Sequence, residues 1–315
     1  MANRRIVSKI RSRISLPLID RSESTSTLFV AGTGRSGTTW VAELLNHNND
    51  FRLVFEPFHP IRSHKRLRTK GRAFSYPGGE SSYSSQVECV LDGSFRSLWT
   101  DQYNSGFVYN KKLIKAIRVN LLLPWIQARY SDLPIIFVVR NPVLNSVSRL
   151  KGNWPAPLEY FDNMEVRSLH PAIDYYVKHR GNLSEWQATV VFWCIENLIA
   201  LAGIKDRGHV VSHEELIVSP GPTIKSLFEF ASVPIGEDID MKYSQPSTMA
   251  RKGSVLSTSE SSIRQRLDSV ELDLRKKSDE ILKKFELDGI YGSSGLPVVS
   301  AVDFGSRIPE VRLWK

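Results

Sequence analysis

The chain has 315 residues, of which 41% are apolar and 24% charged, and its formal net charge is +9. That length supports one large core, and the composition excludes a disordered, collagen-like or disulfide-scaffold protein. No apolar run approaches a membrane span, the N-terminus lacks a signal peptide's apolar core, and two cysteines, Cys89 and Cys194, are too few for a disulfide framework or a zinc site. A soluble protein of the reducing cytoplasm is expected.

The positive charge sits in two places. Residues 1–21 hold Arg4, Arg5, Lys9, Arg11, Arg13 and Arg21 against Asp20 alone; residues 62–72 hold Arg62, Lys65, Arg66, Arg68, Lys70 and Arg72 with no acid. Such clusters attract polyanions or an anionic membrane surface, and they also describe two plain solvated loops. No aromatic residues interleave with them, so nucleic acid is not an expected partner.

In chain order, residues 1–25 read as a basic tail. Leu28 to Ala31 is an apolar run and predicts a strand over 27–31, which enters a turn holding Gly32, Gly34 and Gly37. Trp40, Val41, Leu44 and Leu45 recur at helical spacing and predict a helix over 37–47. A strand is expected near 52–55, a loop over 57–88, a strand over 112–118 and a helix over 121–130. Pro134 to Val139 is continuously apolar, the pattern of a strand buried on both faces. Asn141-Pro142 then supplies an N-cap and a first-turn proline for a helix. An apolar helix over 184–203, a strand over 209–212, a helix over 222–231 and a charged helical region over 260–286 complete the series. Strands alternating with helices predict an α/β fold: a P-loop-like parallel sheet with helices on both faces. The expected domain spans 26–292, between the tail 1–25 and a C-terminal tail 293–315.

The Gly-rich turn is where chemistry is expected. A strand, a glycine turn and a helix N-terminus together cradle an anion, because unpaired N–H groups and the helix dipole face it. Gly32-x-x-x-x-Gly37 has P-loop spacing, but Thr38 stands where the nucleotide-hydrolysing motif has lysine. ATP or GTP hydrolysis is therefore not expected, and no metal is. Gly32-x-Gly34-x-x-Gly37 also fits a dinucleotide fingerprint, with Glu56 standing 19 residues beyond Gly37 for the ribose. A plain glycine turn is the third reading. Arg140 ends a buried strand and so faces the same crevice as the turn, and Ser148 lies eight residues on. An arginine there suits a second phosphate.

Gly34-Arg35-Ser36-Gly37-Thr38-Thr39-Trp40 resembles the 5′-phosphosulfate loop of sulfotransferases that use PAPS, 3′-phosphoadenosine 5′-phosphosulfate. Arg140-Asn141-Pro142 with Ser148-Arg149 resembles that family's 3′-phosphate motif. Arg251-Lys252-Gly253 looks like its RKG element, and Val211 to Leu216 matches a late strand and turn. The resemblance runs through about residues 27 to 290 in order. It implies PAPS as sulfuryl donor, 3′,5′-ADP as product, and donor binding by Gly34, Arg35, Ser36, Gly37, Thr38, Thr39, Trp40, Arg140, Ser148, Arg251, Lys252 and Gly253. Cytosolic members carry lysine at Arg35 and a histidine base near a segment like 113–118, which has none here. Arg35 and Phe55-Glu56-Pro57 look more like the carbohydrate and tyrosylprotein branches, in a soluble, bacterial relative.

The expected catalytic residues are Glu56, as general base with a pKa raised by partial burial, and Arg35, as stabiliser of the leaving oxygen. His59 and His64 are reserve bases, and Lys115 lies within reach of the transferred group or simply snorkels. Trp40 packs along adenine or in the core; His213 sits where relatives carry an aromatic residue near adenine. Trp154 and Tyr160 are placed to stack on a sugar. The expected reaction is sulfuryl transfer from PAPS to an acceptor hydroxyl, on a glycan or glycolipid, with residues 1–21 as a contact to an anionic membrane surface. The alternatives are a dinucleotide-binding oxidoreductase and a non-catalytic polyanion-binding protein.

Overall fold

The computed structural model describes residues 18–59, 84–245, 247, 259–292, 294–311 and 313. Most of the basic tail, the basic stretch 62–72 with His64, and Arg251-Lys252-Gly253 lie outside the described residues.

The chain begins with the short strand β1 (Ile19–Asp20), then β2 (Thr27–Ala31), α1 (Thr38–Leu45) and β3 (Phe51–Phe55). Next come α2 (Ser84–Leu91), β4 (Val108–Tyr109), β5 (Lys111–Ala116), α3 (Leu123–Arg129), β6 (Ile135–Val139) and α4 (Pro142–Leu150). Two short helices, α5 (Met164–Ser168) and α6 (Pro171–Lys178), precede the long α7 (Glu185–Ile204) and β7 (His209–Ser212). The last helices are α8 (His213–Val218), α9 (Pro220–Phe230), α10 (Ile239–Tyr243), α11 (Glu260–Asp268) and α12 (Leu272–Lys284).

Five strands form one parallel sheet in the order β3-β5-β2-β6-β7. Every residue of β2, β3, β6 and β7 is buried, so helices must cover both faces. Helix α1 packs on β2 and β5, while α7 packs on β6 and against α3, α4 and α12. Register then fixes what meets at the carboxyl edge. Ala31 pairs with Ala116 and Phe137, Phe55 with Lys115, and Val139 with Ser212. The turn after β2, Glu56 after β3, Arg118 after β5, Arg140 after β6 and His213 after β7 therefore leave the sheet at one edge, where ligands bind in open α/β folds.

Three expectations change. Helix α7 does reach the length and composition of a membrane span, with mean hydropathy 1.5 over its most apolar window, but 78% of that window is buried inside the fold. It is apolar all round because it is a central core helix. The segment 57–88, read as loop, ends in helix α2. The segment beyond 292, read as a tail, contributes to the core: Ala301 and Phe304 are fully buried, and Ala301 N–H donates to Glu215 Oε1 at 3.0 Å.

The sheet's outer strand is tied down by a buried cation. Arg52, on β3, is fully buried and donates to Asp20 Oδ2 (2.6 Å), Asp101 Oδ1 (2.9 Å) and the carbonyls of Gly93 (3.0 Å) and Phe95 (2.7 Å). A buried charge is tolerable only when paired and hydrogen-bonded in this way. Truncating Arg52 to Ala strands Asp20 and Asp101 without their cation. We expect a loss of about 3–5 kcal/mol in chemical denaturation; a loss below 1 kcal/mol would show the cluster to be dispensable.

Candidate active site

The turn between β2 and α1 is built to leave N–H groups open. Gly37 is the N-cap of α1 with φ 97°, and no side chain caps the helix. A β-carbon at Gly37 would lie 2.7 Å from His213 Cδ2, so both the backbone angle and the space require glycine. The turn is held from behind. Asn145 Nδ2 on α4 donates to Gly34 O (3.2 Å) and Ser36 Oγ (3.3 Å), and Arg140 Nη1 donates to Arg35 O (3.1 Å). Ser36 thus faces inward and is fully buried; Thr38 is buried and Thr39 half-buried.

Arg35 takes a left-handed backbone, φ 77°, uncommon for a non-glycine residue. Its Nε donates to Ser148 Oγ at 3.1 Å, and its guanidinium lies 5.9 Å from the centre of the Trp154 ring. The first and second sequence motifs therefore touch. Arg140 is held by the helix beyond it: Trp193 Nε1 donates to its carbonyl (3.0 Å), and the next N–H, Asn141, donates to Glu214 (3.1 Å). Asn141 caps α4 by accepting from Leu144 N–H, as its sequence position predicts. Arg140 Nε is buried with no hydrogen-bond partner among the described residues. Burial, then Arg266 and Arg35, lower its pKa against the pull of Glu214; an arginine so placed stays charged.

Trp40 is buried between His213 and Tyr243, with ring centres at 5.6 and 5.3 Å, and its Nε1 is also without a partner. The His213 imidazole, buried and facing Arg140 and Arg266, is pushed well below its ordinary pKa and is neutral.

Glu56 follows β3 with φ 42° and is 8% exposed. Its Oε1 accepts from Lys115 Nζ (2.7 Å) and its Oε2 from Arg118 Nη1 (2.9 Å). Burial alone pushes this carboxyl up, which is the expectation from sequence. The two cations outweigh it and hold the pKa below the usual carboxylate value. The partners of this carboxylate are thus Lys115 and Arg118. The two cation groups share a wall, since Arg118 also stands 5.9 Å from the Trp154 ring centre. His59 packs edge-on to Trp99 at 5.3 Å.

The family model described as "Sulfotransferase family" matches residues 27–237. The chain belongs to the sulfotransferase family. Among solved structures it is similar to a sulfotransferase domain from the curacin biosynthetic pathway, at 17% identity and TM-score 0.42, covering 85% of this chain and 97% of that one. A sulfotransferase domain from the Synechococcus PCC 7002 olefin synthase matches at 14% identity and TM-score 0.43, covering 86% and 95%. Sulfotransferase STF9 from Mycobacterium avium matches at 13% identity and TM-score 0.40, covering 89% and 81%. No curated protein matches significantly.

Several residues of this sulfotransferase's site were not singled out from sequence: Arg118, Asn145 and, behind the turn, Asn120, Glu196 and Asn197. Glu196 carried a signal, being an acid in the middle of the apolar α7. Among the described residues no cluster of three or more His, Cys, Asp or Glu could hold a metal.

The depressed pKa of Glu56 makes a stability prediction. Its ion pairs stabilise the fold fully above the unfolded carboxylate value, about 4.3, and that contribution fades as pH falls through the lower folded value. The stability gap between wild type and Glu56→Gln should be constant from pH 7 to 5 and shrink in more acidic solution. Urea melts showing a gap that widens on acidification would contradict the pairing.

Proposed function

We propose that the protein transfers a sulfuryl group from PAPS to a hydroxyl of an anionic carbohydrate or glycolipid. One observation carries the donor reading: Arg140 holds the turn's backbone while Arg35 of the turn reaches Ser148. Two anion motifs, distant in sequence, thereby line one crevice. The donor chemistry fits the residues present. The uncapped start of α1 offers backbone N–H groups to the 5′-phosphosulfate, with Thr38 and Thr39 beside them. The unpartnered Arg140 Nε, with Ser148, suits the 3′-phosphate. Arg251, Lys252 and Gly253 complete the donor contacts proposed from sequence.

Glu56 is the proposed base, taking the proton from the acceptor hydroxyl as its oxygen bonds to sulfur. Alone it is a weak base, because Lys115 and Arg118 hold its charge. An anion in the crevice competes for those cations, so Glu56 becomes more basic as the donor is held. Arg35 stabilises the charge that grows on the leaving phosphate oxygen. For the acceptor, the half-buried Trp154 offers an aromatic wall among Arg35, Arg118 and Arg149, each 5.9 Å from its ring centre. That combination suits a sugar face bearing negative groups. The basic residues 1–21 would attract such a substrate, or the membrane carrying it.

Calorimetry tests the donor site. The product analogue 3′,5′-ADP should bind more tightly than 5′-AMP, and Arg140→Ala should remove most of that preference, roughly 1.5–3 kcal/mol. Equal affinity for the two nucleotides would remove the 3′-phosphate assignment. For the base, Glu56→Gln should keep 3′,5′-ADP affinity within a few-fold yet slow transfer from labelled PAPS by roughly two to four orders of magnitude. It should also lose the acidic limb of the pH–rate profile. Near-normal turnover with that limb intact would move the role to another residue, His59 first.

A further inference from the structure

Behind the donor turn lies a polar cluster that the proposed chemistry does not use. Glu196, on α7, is 3% exposed. Its Oε2 accepts from Asn120 Nδ2 at 3.1 Å, and the Thr33 hydroxyl hydrogen-bonds to it. Thr33 is the second residue of the turn and fully buried; its Oγ1 accepts from Asn197 Nδ2 (3.0 Å) and Asn120 Nδ2 (3.5 Å). Three side chains from two elements thus converge on one hydroxyl of the turn. The cluster has spare acceptor capacity, since Asn120 Oδ1 and Asn197 Oδ1 are buried without partners among the described residues. Those acceptors suit a carboxyl that carries a proton.

The charged groups facing Glu196 are Arg149 from α4 and Arg118 from the segment after β5. Among the described residues neither forms an ion pair with it: Arg149 donates to Pro155 O (2.7 Å) and lies 4.6 Å from the Phe192 ring centre, and Arg118 pairs with Glu56. Burial therefore prevails over both cations, and the Glu196 carboxyl is pushed up to about 7.

We propose that Glu196 is a positioning residue for the donor turn, acting through Thr33, and that binding of the donor's negative charge is coupled to a proton on this buried carboxyl. The proposal rests on the donor reading above. The sign follows from charge. An anion seated in front of the turn and an ionised Glu196 behind it repel across a dry wall. Donor binding therefore favours the protonated carboxyl, takes up a proton near neutrality, and weakens as pH rises.

The test is calorimetry of 3′,5′-ADP binding between pH 6 and 8, in buffers of different ionisation enthalpy. Glu196→Gln keeps the hydrogen bonds to Asn120 and Thr33 but cannot titrate. Wild type should take up protons and lose about three- to tenfold more affinity over that range than Glu196→Gln. The comparison cancels titration of the nucleotide's own phosphates and of His213. Equal proton uptake and equal pH slopes in the two proteins would overturn the proposal while leaving the donor reading intact. Absence of any 3′,5′-ADP binding by wild type would overturn the donor reading itself. Should the glutamine variant fail to fold, Thr33→Val serves: it should bind 3′,5′-ADP more weakly at both pH 6 and pH 8 and take up fewer protons. Unchanged affinity and uptake in Thr33→Val would count against the link.

Discussion

A turn that binds anions through its backbone must stay open when nothing fills it. Here this is achieved by anchoring the turn's carbonyls and inward-facing hydroxyls, with the Ser36 N–H closing the turn on Thr33 O and the start of α1 left uncapped. Arg140 takes the carbonyl of Arg35, Asn145 takes that of Gly34 and the hydroxyl of Ser36, and Asn120, Asn197 and Glu196 engage Thr33. Those anchors come from α4, α7 and the ends of β5 and β6. The placement of each depends on the parallel register that brings five strand ends to one edge. The cost of this arrangement is local. Arg35 and Glu56 carry left-handed backbone angles, and Arg140 and Trp40 keep buried nitrogens without partners among the described residues. Residues held at such backbone angles persist where the surrounding structure over-determines them.

The charges follow the same logic. Arg35, Arg118, Arg140 and Arg149 converge on a small region, and Glu56, Glu196 and Glu214 are the carboxylates set against them. Their environments differ. Two cations pull Glu56 down, while burial raises Glu196 and Glu214. Carboxyl groups pushed apart in this way take different roles. Glu56 stays ionised and reachable from the crevice, Glu196 sits behind the turn, and Glu214 holds the start of α4 with Tyr291 and Ser212.

Much of this was legible in the chain. The strands over 27–31 and 134–139 emerged from apolar runs, because a strand covered on both faces has few polar residues to confuse the pattern; those over 52–55 and 209–212 were read despite Arg52, His209 and Ser212. The start of α4 was readable from Asn141-Pro142 for stereochemical reasons. Helix α5 escaped, being too short to show a period, and the eight-residue α6 was not read either, although Asn163 and His170 cap them. The glycine turn, Arg140 and Ser148 could be named from motif spacing. The partners of Glu56 could not be named, since pairing Phe55 with Lys115 is a property of register between strands some 60 residues apart. For the same reason its pKa was expected to move the wrong way: burial is visible in sequence, but which cations face a carboxylate is not.

The turn after β2 and Arg140 with Ser148 are proposed to hold the two ends of one phosphorylated nucleotide. A crystal structure with 3′,5′-ADP tests it most directly. The 5′-phosphate should accept from the N–H groups at the start of α1, the 3′-phosphate should contact Arg140 and Ser148, and Arg35 should leave Ser148. A nucleotide bound elsewhere, or bound with the Arg35–Ser148 contact intact and its 3′-phosphate in solvent, would contradict it.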